Sequence, residues 1–518
     1  MTPSEATGTQ TRARPSLGLI VVCVSAAAGF AVATARIVSY SNATLLRRFM
    51  TDDAFYYFDI ARRFPHVGPA PGVTTTGFHP LYWLTLVPIF KVTHGFAAVR
   101  VALVMLLVVH ILAGFLLYRL LCRTWSSRTS ALVAAAWMAS AGLRTVVLLG
   151  VETAWVELAL IGLLLVCTSD KPTATMAPRV GAMLAVSYLA RNDAIVVAGA
   201  IVLAWLWARR PRLRSIALLA GTALLISLPW VAFLATRHSL AATDSARALR
   251  SLRQTHGLEA VFRSMGGLIT SRTASLLLDH YVPNPGVGAA LVITVFALAA
   301  VAGIVVVKQT AWSAVEIALV VSVPILFVAY GVRLGGIREW YLVYLDVAVF
   351  VVLVPPVLEL IGRLTRGYLR DRRIRYAVAA CGVVVAVVAA LVAPFGTQPQ
   401  EGMKYTAATR AAPQLTNQRV GAFNSGIFAF VLDHSVVENL DGVVNPLVQP
   451  YLRDKTLCAY IRQRQIRWFI DDAQSARLLV TLGGPQGRRR VLVAAQGAKL
   501  PAEVLVRIGP NACAGVVQ

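Results

Sequence analysis

Charge is scarce in this sequence. Asp, Glu, Lys and Arg make up only 14% of its 518 residues, against roughly a quarter in soluble domains. Acidic residues are scarcer still, with 24 Asp and Glu against 49 Lys and Arg, a formal net charge of +25. With 57% hydrophobic residues, these shortages exclude both a soluble enzyme and a disordered chain. Gly (37) and Pro (24) are too few for a collagen-like or low-complexity chain. No Gly-rich phosphate loop follows a predicted strand, so no nucleotide cofactor is expected. On a membrane protein the excess of basic residues calls for no nucleic-acid partner, since anionic lipid headgroups account for clusters such as residues 363–375.

What the sequence has in abundance is long apolar runs, the signature of segments that cross about 30 Å of hydrocarbon. Eleven candidates occupy residues 17–35, 97–121, 131–149, 154–167, 180–190, 194–208, 216–235, 287–307, 311–332, 342–361 and 376–392. The runs 154–167 and 180–190 are short, and 81–92 is a candidate for the membrane interface. The first run follows Arg12 and Arg14 and lacks a small-residue cleavage site, so it reads as an uncleaved anchor. Basic residues collect in alternate loops: Arg119, Arg123 and Arg128; Lys171 and Arg179; Arg209 to Arg214; Lys308; and Arg363 to Arg375. All fall on the side of the N-terminal tail, which is therefore expected in the cytoplasm of a multi-pass plasma-membrane protein. The expected organisation is a transmembrane module over 1–395, with a first external loop at 39–96, and an extracytoplasmic α/β domain over 396–518. In that last segment strands are expected at 419–424, 435–441, 467–471 and 490–494, with a helix or turn at 425–433. Cys458 and Cys513 are the only cysteines expected outside, where pairing and two buried free thiols are both open readings.

Candidate chemistry lies on the outer side. Asp52 and Asp53 open an aromatic helix, Ala54-Phe55-Tyr56-Tyr57-Phe58, and Gly77-Phe78-His79-Pro80-Leu81-Tyr82-Trp83 follows in the same loop. Adjacent carboxylates beside a membrane are costly unless they bind a cation or take a proton; capping the helix is the plain alternative. Further polar patches are Glu152 in Gly150-Val151-Glu152-Thr153, Arg191-Asn192-Asp193, Arg338-Glu339-Trp340-Tyr341, Asn424-Ser425-Gly426 and the stretch 437–445. Each has a structural alternative. Arg191 with Asp193 reads as a substrate site or a buried ion pair, Glu152 as a site residue or a helix start, and His79 as a metal ligand or a satisfied side chain. Arg338 to Tyr341 reads as a site for a lipid-linked sugar or as an interfacial anchor.

In their order and spacing these patches resemble, over roughly residues 17–472, the GT-C membrane glycosyltransferases, which include protein mannosyltransferases, aminoarabinose transferases and actinobacterial arabinofuranosyl- and mannosyltransferases, and are similar to a large bacterial subgroup of that class, most of whose members have no assigned substrate. The resemblance implies a polytopic α-helical membrane protein of about eleven spans. It implies transfer of a sugar such as arabinofuranose or mannose, with inversion, from a polyprenyl-phosphate donor to a glycan, lipid or protein acceptor of the cell envelope. Asp53 or Asp52 would act as general base. Arg191, Arg338 and Arg62 or Arg333 would bind the departing phosphate, with Glu152, Asp193, His79 and Tyr341 around the substrate. A divalent metal on Asp52 or Asp53, with His79, is the alternative source of positive charge. A flippase of lipid-linked sugars and a catalytically inactive assembly protein of the same fold are the rival readings; no internal repeat or pair of broken helices supports the first.

Overall fold

The computed structural model describes residues 17–251, 313–334, 339–364, 398–472, 475, 479 and 503–508. The expected spans at 287–307 and 376–392, the expected strand at 490–494, Arg338 and Cys513 lie outside the described residues.

Helices come first in the chain: α1 (Leu17–Ser39), α2 (Asn42–Arg48), α3 (Asp52–Arg62), α4 (Pro80–Val92), α5 (Gly95–Leu121), α6 (Ser127–Ala139), α7 (Ala141–Leu148), α8 (Thr153–Cys167), α9 (Thr173–Ala190), α10 (Ala194–Arg209), α11 (Leu213–Thr236) and α12 (Asp244–Ser251). Helix α13 (Ala314–Leu334) follows, then a 3-10 turn (Glu339–Leu342) leading into α14 (Val343–Ala348), a π-helical turn (Val349–Leu353) and α15 (Val354–Leu364). Among the described residues four helical stretches are long and apolar enough to cross a membrane: Gly18–Ser39, Gly95–Leu121, Leu213–Thr236 and Trp340–Leu360. Shorter apolar helices are Pro80–Val92, Thr153–Cys167, Ala194–Arg209 and Ala314–Tyr330. The pairs α1 with α6, α5 with α8, α9 with α11 and α10 with α13 pack together. Large apolar side chains such as Trp137, Trp205 and Leu164 fill the space between helices.

One expected span differs. The run 131–149 is not a single helix, because Ser140 adopts an extended ψ of 118° and divides it into α6 and α7. The physical reason is Arg144, 1% exposed in an apolar environment. Its guanidinium donates to the carbonyls of Ala139 (3.1 Å) and Ser140 (3.4 Å), which the break leaves available.

From residue 399 the chain alternates α and β: α16 (Pro399–Leu415), β1 (Arg419–Ala422), α17 (Gly426–Val431), β2 (Val436–Asn439), a 3-10 turn (Pro446–Val448), α18 (Gln449–Arg453), α19 (Leu457–Gln463), β3 (Trp468–Asp472) and β4 (Glu503–Arg507). The sheet order is β2-β1-β3-β4, with β1 parallel to both its neighbours and β4 antiparallel to β3. β1 to β3 fall on the expected segments; β4, at an edge, is not among the expectations. Cys458 is disulfide-bonded. This unit meets the helical part along α16 against α2 and α17 against α3, where Phe55, Phe58, Phe90 and Phe430 pack edge to face or tilted with centroids 5.2–6.3 Å apart.

Candidate active site

Helix α3 begins with two carboxylates that have separate surroundings. Asp52 is 6% exposed. Its Oδ2 accepts from the Gly426 N–H and its Oδ1 from the Ile427 N–H, each at 3.0 Å, while Lys404 Nζ lies 3.5 Å from Oδ1. The two N–H groups open α17, so Asp52 caps a helix, but in the sheet unit some 370 residues on rather than its own. Gly426 is required here: a Cβ on it would lie 2.3 Å from the Asp52 carbonyl oxygen. At the far end of the same helix Arg62 donates to the carbonyls of Ala429 (2.7 Å) and Phe430 (3.3 Å) and to Asp59 (2.6 Å). α3 thus grips α17 at both ends, a carboxylate on its N–H groups and a guanidinium on its carbonyls, each matching the helix dipole. Arg62 is therefore spent on the fold, not held out for a phosphate.

Asp53, in contrast, is partly exposed. Its charge bears on Tyr56, Tyr341 and Asp441. The loop before α4 is tied down by Asp244. Thr76 N–H donates to Asp244 Oδ2 at 2.7 Å and its hydroxyl accepts from the Asp244 N–H at 3.0 Å. Gly77 closes against the loop after β2, leaving only 2.1 Å between a would-be Cβ and the Val443 carbonyl oxygen. At the end of β2 Asn439 donates to Tyr56 Oη (3.3 Å) and Ser425 Oγ (3.1 Å). Loss of surrounding water, reinforced by the charges of Asp53 and Asp52, pushes Asp441 up to about 8 despite the hydrogen bond it accepts from Val443 N–H.

The remaining candidates form one buried polar network. Arg191, 3% exposed, donates from Nη1 to Glu152 (2.8 Å) and from Nε to Asp193 (2.9 Å), and its guanidinium lies 4.2 Å from the ring centre of Tyr341. Glu152 also accepts from Tyr57 Oη at 2.8 Å. Asp193 accepts from Tyr344 at 2.7 Å and from Tyr330. His79 sits 3.7 Å from Glu152, and its Nδ1 accepts from the Asn192 N–H at 3.4 Å. Burial lowers its pKa, so the ring is neutral at pH 7. One guanidinium between two carboxylates is already fully compensated. Arg191 is placed as the centre of an ion-paired scaffold that carries Tyr341 toward Asp53.

A metal shared by Asp52, Asp53 and His79 does not fit this arrangement. Asp52 has committed its oxygens to two N–H groups and an ammonium, and His79 has turned to Asn192. No cluster of three His, Cys, Asp or Glu suited to a metal occurs among the described residues. The sequence reading missed Lys404, Tyr330, Tyr344 and Trp230, whose indole N–H donates to Asn192 at 3.1 Å. The signal for the tyrosines was a lone hydroxyl inside an otherwise apolar run; for Lys404 there was none.

No family model and no curated protein matches the chain. Solved structures do. ArnT from Cupriavidus metallidurans in the apo state superposes with a TM-score of 0.57 at 13% identity, over 95% of this chain and 98% of that one. AglB from Archaeoglobus fulgidus, an archaeal oligosaccharyltransferase solved with an inhibitory peptide and a dolichol-phosphate, gives 0.51 at 12% over 90% and 70%. The arabinofuranosyltransferase AftD from Mycobacteria gives 0.50 at 15% over 88% of this chain and 35% of its own. The chain shares their fold. At such identities the likeness is one of fold.

The network makes a prediction. Arg191→Met leaves the buried Glu152 and the part-buried Asp193 without their cation and is expected to destabilise the protein by about 3–5 kcal/mol. Arg191→Lys, which cannot bridge both carboxylates, falls between. Thermal denaturation of the detergent-solubilised protein measures both; a melting temperature unchanged by Arg191→Met contradicts the scaffold role.

Proposed function

We propose that this protein is a membrane glycosyltransferase that moves a sugar from a polyprenyl-phosphate carrier to a cell-envelope acceptor, with Asp53 as general base. The observation that carries the reading is the division of labour at the head of α3. Asp52 is committed to α17, while its neighbour Asp53 remains partly exposed and bears on Tyr56 and Tyr341, in a chain with the fold of ArnT. Asp53 takes the proton of an acceptor hydroxyl as its oxygen attacks the anomeric carbon. The bond from that carbon to the phosphate oxygen breaks, the electron pair leaves on the lipid phosphate, and configuration inverts. Arg338, next in sequence to the turn that carries Tyr341, is the proposed phosphate partner, because Arg191 and Arg62 are already engaged. A lipid-linked donor is supported by AglB having been solved with a dolichol-phosphate. The sugar is proposed to be arabinofuranose, mannose or a similar residue.

Purified protein is expected to release polyprenyl phosphate from a polyprenyl-phosphate sugar, and Asp53→Asn to lower that turnover by about 10²–10⁴-fold. Near-normal turnover in the variant sinks the base assignment, and a wild-type protein inert toward all such donors sinks the enzymatic reading.

The proposed topology places the N-terminus in the cytoplasm and the sheet unit from residue 396 outside, by the alternation of basic loops. In intact cells an impermeant thiol reagent is expected to label Thr409→Cys and to spare Asp170→Cys. The opposite pattern reverses the orientation and removes the site from the outer face.

A further inference from the structure

A second feature lies at the opposite end of α3 from the carboxylates. A cavity of about 330 Å³ is lined by Arg62, Arg63, Phe90, Lys91, His94 and Asp433. Three fixed cations and an imidazole face it. Of the carboxylates, Asp59 reaches Arg62 (2.5 Å) and Arg63 (3.4 Å), and Asp433 points largely to solvent, its side chain 59% exposed. The Lys91 ammonium donates to a backbone carbonyl, that of Phe64, at 2.6 Å, so its charge is not cancelled there. Apolar side chains on the same segments are uncovered: Phe64, next to Arg63, is 39% exposed, Val92, next to Lys91, 80%, and Leu84 on α4 54%. Leu84 and Lys91, seven residues apart on α4, lie on one helical face, an apolar stripe ending in a cation.

The position of the cavity decides what fits it. His94 immediately precedes α5, whose 27 residues from Gly95 to Leu121 form an apolar helix long enough to span the bilayer. The cavity therefore opens at the boundary between hydrocarbon and headgroups, beside the positive end of a helix dipole. A cationic hollow on segments that also carry uncovered apolar side chains suits, at that depth, an amphiphile with an anionic head and acyl chains. It is also remote from the proposed reaction, because Asp53 lies about 13 Å away along the axis of α3 at 1.5 Å per residue.

We propose that this cavity binds the phosphate headgroup of an anionic membrane phospholipid, with Arg63, Lys91 and His94 on the phosphate and the acyl chains along Leu84 and Val92. Because Arg62 both lines the cavity and holds the carbonyl end of α17, an anion there buttresses the junction between the helical part and the sheet unit. This rests on the membrane reading alone and not on the choice of catalytic base.

The full chain, purified in detergent, is titrated with phosphatidylglycerol or phosphatidylcholine and bound lipid is counted by native mass spectrometry. Phosphatidylglycerol is expected to bind in preference to phosphatidylcholine. The double variant Arg63→Gln/Lys91→Gln is expected to weaken phosphatidylglycerol binding about 25-fold, at about fivefold per cation, the equivalent of about 1 kcal/mol each. Should the double variant fail to fold, the exposed Lys91→Gln alone carries the test, with a fivefold loss expected. Equal affinity for the two lipids, or unchanged affinity in the variant, overturns the proposal. Displacement of phosphatidylglycerol by millimolar inorganic phosphate overturns it in favour of a free-phosphate site. A parallel loss of polyprenyl-phosphate binding overturns it in favour of the carrier's own site.

Discussion

The arrangement of this protein depends on one carboxylate placed on a distant helix. Asp52 stands in the loop after the first apolar helix, yet both its oxygens accept from the opening N–H groups of α17 in the sheet unit. Hydrogen bonds to a charged acceptor contribute about 1.5–3 kcal/mol each. Lys404, brought by α16, adds a third partner at 3.5 Å and is itself 4% exposed. Without Asp52 the opening N–H groups of α17 would be buried without an acceptor, and Lys404 would be left with Glu401, at 3.1 Å, as its carboxylate partner. The grip also fixes register: Arg62, at the other end of α3, meets the last carbonyls of α17, and the Phe55, Phe58 and Phe430 rings fill the space between.

That junction shapes the site. With α3 locked against α17, Asn439 at the end of β2 reaches Tyr56 of α3, and the loop carrying Gly77 closes on Val443 in the loop after β2. The Arg191 network approaches from the helical part and contributes Tyr341. A carboxylate that must accept a proton needs access, whereas one that holds a fold does not. Asp52 is buried against α17 and Asp53 is partly exposed, so the two neighbours meet these requirements differently.

Much of the architecture was legible in the sequence because bilayer and sheet impose strong patterns. Apolar runs bounded by arginines gave the long helices, and short alternating segments gave β1, β2 and β3. The split at Ser140 was not legible, because hydropathy averages over a single extended residue, and the need to satisfy Arg144 appears only in three dimensions. At the site the sequence singled out Asp52, Asp53, Glu152, Arg191 and Asp193, since charges in a charge-poor chain stand out. It did not reveal partners. That Arg62 holds carbonyls, or that Tyr330 and Tyr344 converge on Asp193 from residues about 140 and 150 positions away, is a consequence of folding that no local spacing encodes. The same chemistry, a guanidinium able to hold oxygen, serves a phosphate or a helix end equally well, and only geometry separates the two.

The central claim is that Asp52 and Asp53 do different work, and a crossed comparison of Asp52→Asn with Asp53→Asn tests it most directly. Melting temperature and donor turnover are measured on both purified variants. The account predicts that Asp52→Asn lowers the melting temperature while the folded fraction retains turnover, and that Asp53→Asn keeps the wild-type melting temperature while turnover collapses. The reverse pattern, or two variants alike in both measurements, contradicts it.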